Sequence, residues 1–404
     1  MKVLYFHQYF KTPSQAGSIR SYEFAKKLIE RGHSVTMVCG NSFNQNLLID
    51  EKTGWHRGMV DGIEVIQIEA TVSNSQGIYT RAKNFIRFAM ECNKVVKKEN
   101  FDIVFSTSTP LTVGIPGIYA AWKKHAKFVF EVRDLWPELP KAMGMKNPVL
   151  LKGMDILEKK SYHSAAGCIG LSPGIVEGIK RRSQPGKPIA MIPNGCDLGI
   201  FKPDLREPIN VEGVNEGDKV AIFSGTHGLA NGVDAILDAA AELLKRGRND
   251  IKIILIGDGK LKPRLKERAT RENLANCIFL DLVPKRTLAK LVASCDMGLM
   301  VLANVPAFYY GTSPNKFFDY IASGLPVVNN YPGWLADMIN EHKCGIAIEP
   351  ENATLFADAI EKLADNPQMR KECGENARKL AESQFDRDNL SNQFVDFLET
   401  IYKA

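Results

Sequence analysis

Residues 311 to 328 read Gly-Thr-Ser-Pro-Asn-Lys-Phe-Phe-Asp-Tyr-Ile-Ala-Ser-Gly-Leu-Pro-Val-Val, a stretch with the residue types to hold a phosphate. Ser313 reads as an N-cap, Pro314 as the first helical residue, where its missing N–H costs nothing, and Gly324 as the C-terminal stop. A short helix is therefore expected to start from a glycine-flanked loop. Its first turn offers unpaired backbone N–H groups and the positive end of the helix dipole, and Lys316 adds a full charge. Asn315, Lys316 and Asp319 fall on one expected helix face. Asp319, one turn of about 5.4 Å further along, can accept hydrogen bonds from ribose hydroxyls. By itself the pattern fits either a nucleoside diphosphate lying along the helix start or an ordinary capped helix with a solvated charged face.

Four other stretches place reactive types after expected strands. Arg133-Asp134-Leu135-Trp136-Pro137-Glu138 follows the apolar run 128–132, and reads as a site or as an Arg133–Asp134–Glu138 ion network closing a loop. Gly225-Thr226-His227-Gly228 follows Val220–Ser224 and precedes a helix from Val233 to Lys245, an arrangement that cradles phosphates. No Lys or Arg lies between 221 and 244. The backbone amides of 225–228, the His227 side chain and Lys316 are then the groups left to meet a diphosphate, although His227 also reads as a plain loop histidine. Gly257-Asp258-Gly259 repeats the strand-then-glycine pattern after 251–256. Near the start, Gln15, Ala16, Gly17, Ser18 and Arg20 lie in a loop between a strand (Val3–Phe6) and a helix (Ile19–Arg31), and Gly17 reads as a contact or as a simple turn.

These stretches sit on alternating strands and helices. The first βαβ unit ends in the strand His33–Val38, and the second half restarts at Val220, so the fold class is α/β with two Rossmann-like doubly wound domains. In such sheets ligands bind beyond the carboxyl ends of strands, where all four stretches lie. With 404 residues the chain fits two domains of about 200 residues each. The expected division is 1–197, a linker 198–217, 218–386, and a last helix 387–404. Residues 41–62 look like an irregular excursion that could grip a second substrate or form a long surface loop.

Composition excludes several classes. Hydrophobic content of 45% and charged content of 24% are those of a soluble globular protein. No apolar run approaches the roughly 20 residues of a membrane span, and the opening apolar run is too short for a signal peptide, so a cytoplasmic protein is expected. Eight cysteines without a C-x-x-C pair argue against a metal site and fit reduced, buried thiols. The net charge of +6 is uneven: residues 1–200 hold 27 Lys+Arg against 17 Asp+Glu, or +10, and the remainder 25 against 29, or −4. A basic half suits an anionic membrane face or a lipid diphosphate, or is simply a solvated surface; no nucleic-acid module is present. The helix 80–98, with Phe85, Ile86, Phe88, Ala89, Val95 and Val96 among six basic residues, reads as membrane-surface or core-facing.

The motif 311–328 resembles the donor-binding segment of the retaining GT-B glycosyltransferases of family 4, whose pattern carries two Glu before an A-x-G-x-P-V-V strand. Asp319 stands at the second acid, and Gly311 stands where the first Glu is usual. The form S-P-N-K-F-F-D-Y, together with R-D-x-W-P from Arg133, is similar to a bacterial branch that includes N-acetylfucosaminyl transferases of surface-polysaccharide synthesis. Ile192-Pro193-Asn194-Gly195-Cys196-Asp197 resembles the family's segment at the domain junction, and the last helix resembles its tail, which returns to the first domain.

The resemblance implies two domains facing a central cleft, the first binding an acceptor and the second a nucleotide-sugar donor. It implies donor contacts from Gly17, Gly225, Thr226, His227, Gly257, Ser313, Pro314, Asn315, Lys316 and Asp319, with the base gripped by backbone near Leu282 and Val283. Arg133 or Asp134 falls where the family places a His, so Arg133, Asp134 and Lys316 are assigned to the catalytic step, with no general base. No cofactor and no metal are implied; the donor, a UDP-linked sugar, is a substrate. The acceptor would be a saccharide or a polyprenyl-diphosphate-linked sugar at the inner membrane face. A nucleotide-sugar 2-epimerase or a non-catalytic nucleotide-sugar-binding protein are the alternatives.

Overall fold

A computed structural model describes residues 1–15, 17–42, 55–72 and 77–404. The chain forms two compact units, one of residues 1–193, 311–313 and 388–404, the other of 194–310 and 314–387.

In the first unit the strands are β1 (Lys2–Phe6), β2 (Ser34–Ser42), β3 (Trp55–Val60), β4 (Ile63–Val72), β5 (Ile103–Thr107), β6 (Lys127–Val132), β7 (Gly167–Gly170) and β8 (Ile189–Met191). They make one sheet in the order β3-β4-β2-β1-β5-β6-β7-β8, parallel except for the antiparallel β3–β4 pair. β1 and β5 to β7 are buried along nearly their whole length because helices cover both faces of a parallel sheet. The last helix, Arg387–Lys403, belongs to this core: Phe394 stacks on Phe24 at 4.2 Å and meets Phe105 edge-on at 4.9 Å.

The second unit has β9 (Lys219–Ser224), β10 (Ile251–Ile256), β11 (Cys277–Leu280), β12 (Met297–Met300), β13 (Val327–Asn329) and β14 (Gly345–Ala347), all parallel, in the order β11-β10-β9-β12-β13-β14. The order reverses direction between β9 and β12, as it does between β1 and β5 in the first unit. A crevice opens beyond the carboxyl ends of strands at such a switch point.

Four expectations change or are narrowed to one of their alternatives, the helix 80–98 to its core-facing reading. Residues 55–62 are not irregular: β3 and β4 form a hairpin closed by Asp61-Gly62, both at positive φ (50° and 86°), as a two-residue turn of the primed type requires. The alternation that marks β3 is hidden by Gly58 and Arg57; residues 43–54 lie outside the described residues. The segment 198–217 packs on the second unit, with Phe201 buried, Arg206 paired with Asp296 at 3.2 Å and Glu207 N donating to Ser294 Oγ at 3.0 Å. The helix Ile78–Lys98 sends Phe88, Ala89, Cys92, Val95 and Val96 into the core. Its exposed face carries Lys83, Ile86, Arg87, Met90 and Lys94.

The fourth change concerns the helix of the 311–328 motif, which runs Asn315–Ala322. Pro314 is its N-cap residue, with extended ψ of 126°, so the cap falls one position later than the expected Ser313. The C-terminus is as expected: Gly324 has φ of +67°, with Leu325 N donating to Tyr320 O at 3.0 Å, a Schellman-type closure.

Candidate functional site

The switch point of the second unit is built by two interlocked glycine loops. Gly225 N donates to Ile256 O at 3.0 Å and His227 N to Asp258 O at 2.9 Å. A Cβ on Gly257 would stand 1.8 Å from Gly225 O, and one on Gly259 would stand 2.4 Å from His227 O. Gly257 also has φ of +150°, so only glycine lets the two loops meet. Gly257→Ala should therefore destabilise the protein by about 3 kcal/mol or more, read as the shift in a denaturant midpoint. A change below 1 kcal/mol (about) would show that the loops can part at little cost.

This zipper occupies the amides of 225 and 227, leaving those of Thr226 and Gly228 without an acceptor among the described residues. Thr226 is exposed, whereas the His227 ring is fully buried between Phe223 (5.9 Å, stacked) and Phe279 (6.1 Å, edge-on). Burial, with the nearby Lys262 charge, lowers the His227 pKa to about 4. His227 is thus a neutral ring packed inside the loop, and cannot supply the positive charge a diphosphate needs. The histidine's apolar neighbours come from β9 and β11, which the sequence separates widely.

The cation at this loop is Lys316. Its buried ammonium donates to Asn231 Oδ1 at 2.7 Å and to Val301 O at 3.3 Å, and lies 4.3 Å over the Phe223 ring. It touches the Gly225 side of the loop, with Cε 3.3 Å from where a Gly225 Cβ would sit. Val301 follows β12 and Gly225 follows β9, so the cation sits at the switch point. Burial lowers the Lys316 pKa to about 7. Tyr320 of the same helix fastens it to β9 by accepting from Ser224 N at 2.9 Å.

Asp319 does not share this environment. Its half-buried carboxyl lies beside Lys285, Asp197 and Arg387, and burial raises its pKa to about 6. Asp197 is paired with Lys285 and accepts from Arg387 Nε at 2.8 Å; burial opposes its ionisation, but the two cations hold its pKa at about 2. Asn315 and Ser313 are half-buried at the helix start, Leu282 is exposed after β11, and Val283 is half-buried beside it. The sequence reading missed Lys262, which is buried and donates to Gly257 O (2.8 Å), Leu280 O (2.8 Å) and Asp281 Oδ1 (2.5 Å), tying the ends of β10 and β11 together.

The first unit has its own polar cluster at the β1/β5 switch point. Arg133 and Asp134 follow β6; Asp134 Oδ2 accepts from Thr109 Oγ1 at 2.9 Å, and burial raises its pKa despite that bond and Arg133. The expected ion network with Glu138 is absent from the described pairs, since Glu138 instead faces Arg181 at 3.9 Å. His7 and Gln8, directly after β1, are buried, and His7 Nδ1, both amide atoms of Gln8 and Ser106 Oγ have no partner among the described residues. Burial and the charges of Arg133, Arg20 and Lys11 keep His7 neutral. Their position immediately past the first strand was the available signal. Arg20 is a structural group: buried, it donates from Nε (2.9 Å) and Nη2 (2.8 Å) to Glu131 Oε1 and from its amino groups to Ile192 O and Pro193 O. Gly17 has φ of +125°, a conformation that accounts for glycine there. Arg133 and Asp134 belong to one unit and Lys316 to the other. Among the described residues no cluster of His, Cys, Asp and Glu has the makings of a metal site.

Residues 17–195 match the family described as "Glycosyl transferase 4-like domain" and residues 206–380 the family "Glycosyl transferases group 1". Among curated proteins, the chain is 22% identical to N-acetyl-alpha-D-glucosaminyl L-malate synthase of Bacillus anthracis over 96% of this chain and 94% of that one. It is 24% identical to an uncharacterized glycosyltransferase of Methanocaldococcus jannaschii over 61% of this chain, and spans 63% of that relative's length. Among solved structures, sucrose-phosphate synthase from Thermosynechococcus elongatus superposes with a TM-score of 0.80 at 16% identity, over 100% and 99% of the two chains. HepE of Anabaena, solved in complex with UDP-glucose, superposes with a TM-score of 0.69 at 16% identity over 99% and 100%.

Proposed function

Since the chain is a GT-B glycosyltransferase, we propose that it moves a sugar, an N-acetylated aminosugar of the UDP-linked class, onto a lipid-linked or saccharide acceptor with retention at the anomeric carbon. The observation that carries this reading is the Lys316 ammonium, buried at the β9/β12 switch point against the Gly225 loop. A diphosphate laid there meets Lys316, the Thr226 and Gly228 amides and the start of helix Asn315–Ala322. Negative charge grows on the diphosphate as the glycosidic bond breaks, and these fixed donors stabilise it more in the transition state than in the bound substrate. Leu282 and Val283, at the neighbouring strand end, are the backbone offered to the base. In the first unit Arg133, Asp134, His7 and Gln8 are the polar groups available to an acceptor. HepE's complex with UDP-glucose and the aminosugar in the name of the Bacillus anthracis relative support the donor class.

Incubating the protein with UDP, GDP and dTDP sugars and following release of free sugar tests the reading. Slow hydrolysis of one UDP-aminosugar is the expected result. Formation of a 2-epimer would assign an epimerase, and no nucleotide binding at all would overturn the donor site.

The acceptor side is proposed to work at the inner membrane face, in surface-polysaccharide synthesis. Among the described residues no helix is long and apolar enough to cross a membrane. On helix Ile78–Lys98, however, exposed Ile86 and Met90 alternate with Lys83, Arg87 and Lys94 along one face, as interfacial helices do. Binding to vesicles with anionic lipid should fall steeply between 0.1 M and 1 M salt, as the Debye length shrinks from about 10 Å to about 3 Å. Equal partitioning to neutral and anionic vesicles would refute membrane docking by charge.

A further inference from the structure

A cavity of about 550 Å³ opens in the second unit beside the amino ends of β12 and β13, at the opposite end of the parallel strands from the Gly225 loop. One face of the helix Pro367–Gln384 forms its wall, with Arg370, Lys371, Arg378 and Lys379 spaced to project together. Arg206 adds a fifth cation, against the two carboxylates Asp296 and Glu375, which leaves the lining at +3. Gly374 lets the helix lie directly on the Gly324 backbone, since a Cβ there would come within 2.4 Å of Gly324 O.

Two of the cations are fixed. Arg370 is largely buried, with Nη1 donating to Leu363 O (2.6 Å) and Ala364 O (2.9 Å) and Nε 3.4 Å from Asp296. Arg378 is held by Phe201 O (3.0 Å) and Ala322 O through Nη1, and by Glu382 (2.6 Å) through Nε. Each keeps an Nη2 amino group with no acceptor among the described residues. The neighbouring carboxylates are already engaged: Glu382 accepts from Arg378, Asp296 accepts from Arg206 and, at 2.9 Å, from Val220 N, and Glu375 lies 3.9 Å from the Lys371 ammonium. Preoriented guanidinium groups with donors to spare, backed by the exposed ammonium groups of Lys371 and Lys379, match the oxygens of a phosphate.

We propose that this cavity is a second anion site, separate from the nucleotide-sugar site and taking a small molecule that bears a phosphate or diphosphate group. Calorimetric titration of inorganic pyrophosphate into the full-length wild type and into Lys371→Glu/Lys379→Glu, at fixed ionic strength, tests it. Both lysines are exposed, so an unchanged melting temperature is expected for the variant. The wild type should show a site that the variant binds at least about tenfold more weakly, the loss expected for charge-assisted contacts. Identical isotherms for the two proteins, or a wild-type heat reproduced by sodium chloride, would overturn the proposal. UDP binding, measured in the same two proteins, should be equal. Its absence from both would count against the donor site and leave the pyrophosphate comparison standing.

Discussion

Lys316→Ala should lower kcat by on the order of a hundred- to a thousand-fold and weaken donor binding, with the melting temperature held or raised, because the lost group stabilises charge that develops on the leaving diphosphate. The fold should tolerate the change: burial already disfavours this ammonium, and its polar partners among the described residues are one amide oxygen and one carbonyl. The same burial gives a pH signature. In the free protein Lys316 titrates at about 7, so above that pH it is mostly neutral, and binding a diphosphate must return the proton. UDP affinity should therefore fall as pH rises above 7, and binding near pH 8 should take up close to one proton, read from titrations in buffers of different ionisation heat. Both signals should vanish in Lys316→Ala. If kcat, KM and proton uptake all stayed at wild-type values with the fold intact, the diphosphate would not lie against this residue.

Arg20→Ala should destabilise the first unit by about 3–5 kcal/mol, the range for removing one partner of a buried ion pair. Arg20 and Glu131 are both fully buried, and the arginine also satisfies the carbonyls of residues 192 and 193 and lies 4.3 Å over Phe24. Its loss strands the Glu131 carboxylate with the Thr107 hydroxyl as its remaining side-chain donor, at 2.7 Å. Replacing both, as Arg20→Met/Glu131→Leu, should cost less than Arg20→Ala alone, because no charge is then buried unpaired. Equilibrium denaturation checks this; a loss below about 1 kcal/mol for Arg20→Ala would mean that water reaches Glu131.

The sequence carried the features that depend on near neighbours. Apolar runs followed by Gly225, Gly257 and Arg133 mark strands that end at a ligand-binding edge, because parallel strands are buried throughout and their loops are not. Gly324 closes its helix as read, since a positive φ needs glycine wherever the helix packs. The place of Lys316 in the first turn of a helix was legible for the same reason, since that is a local pattern.

Only the tertiary structure decided what the charged and polar side chains meet, because those partners are far along the chain. Lys316 finds Asn231 at a separation of 85 residues, and Arg20 finds Glu131 at 111. Helical spacing placed Asp319 beside Lys316, yet the carboxyl turns to Asp197, Lys285 and Arg387, the last two fixed to Asp197 across 88 and 190 residues. His227 looked like a loop ligand and is an aromatic packing element, since the Phe279 it packs against lies on β11, two strands away from β9. The strand order that sets β9 beside β12 determines which loops share the switch point. It follows from long-range packing of the sheet, which no local spacing encodes.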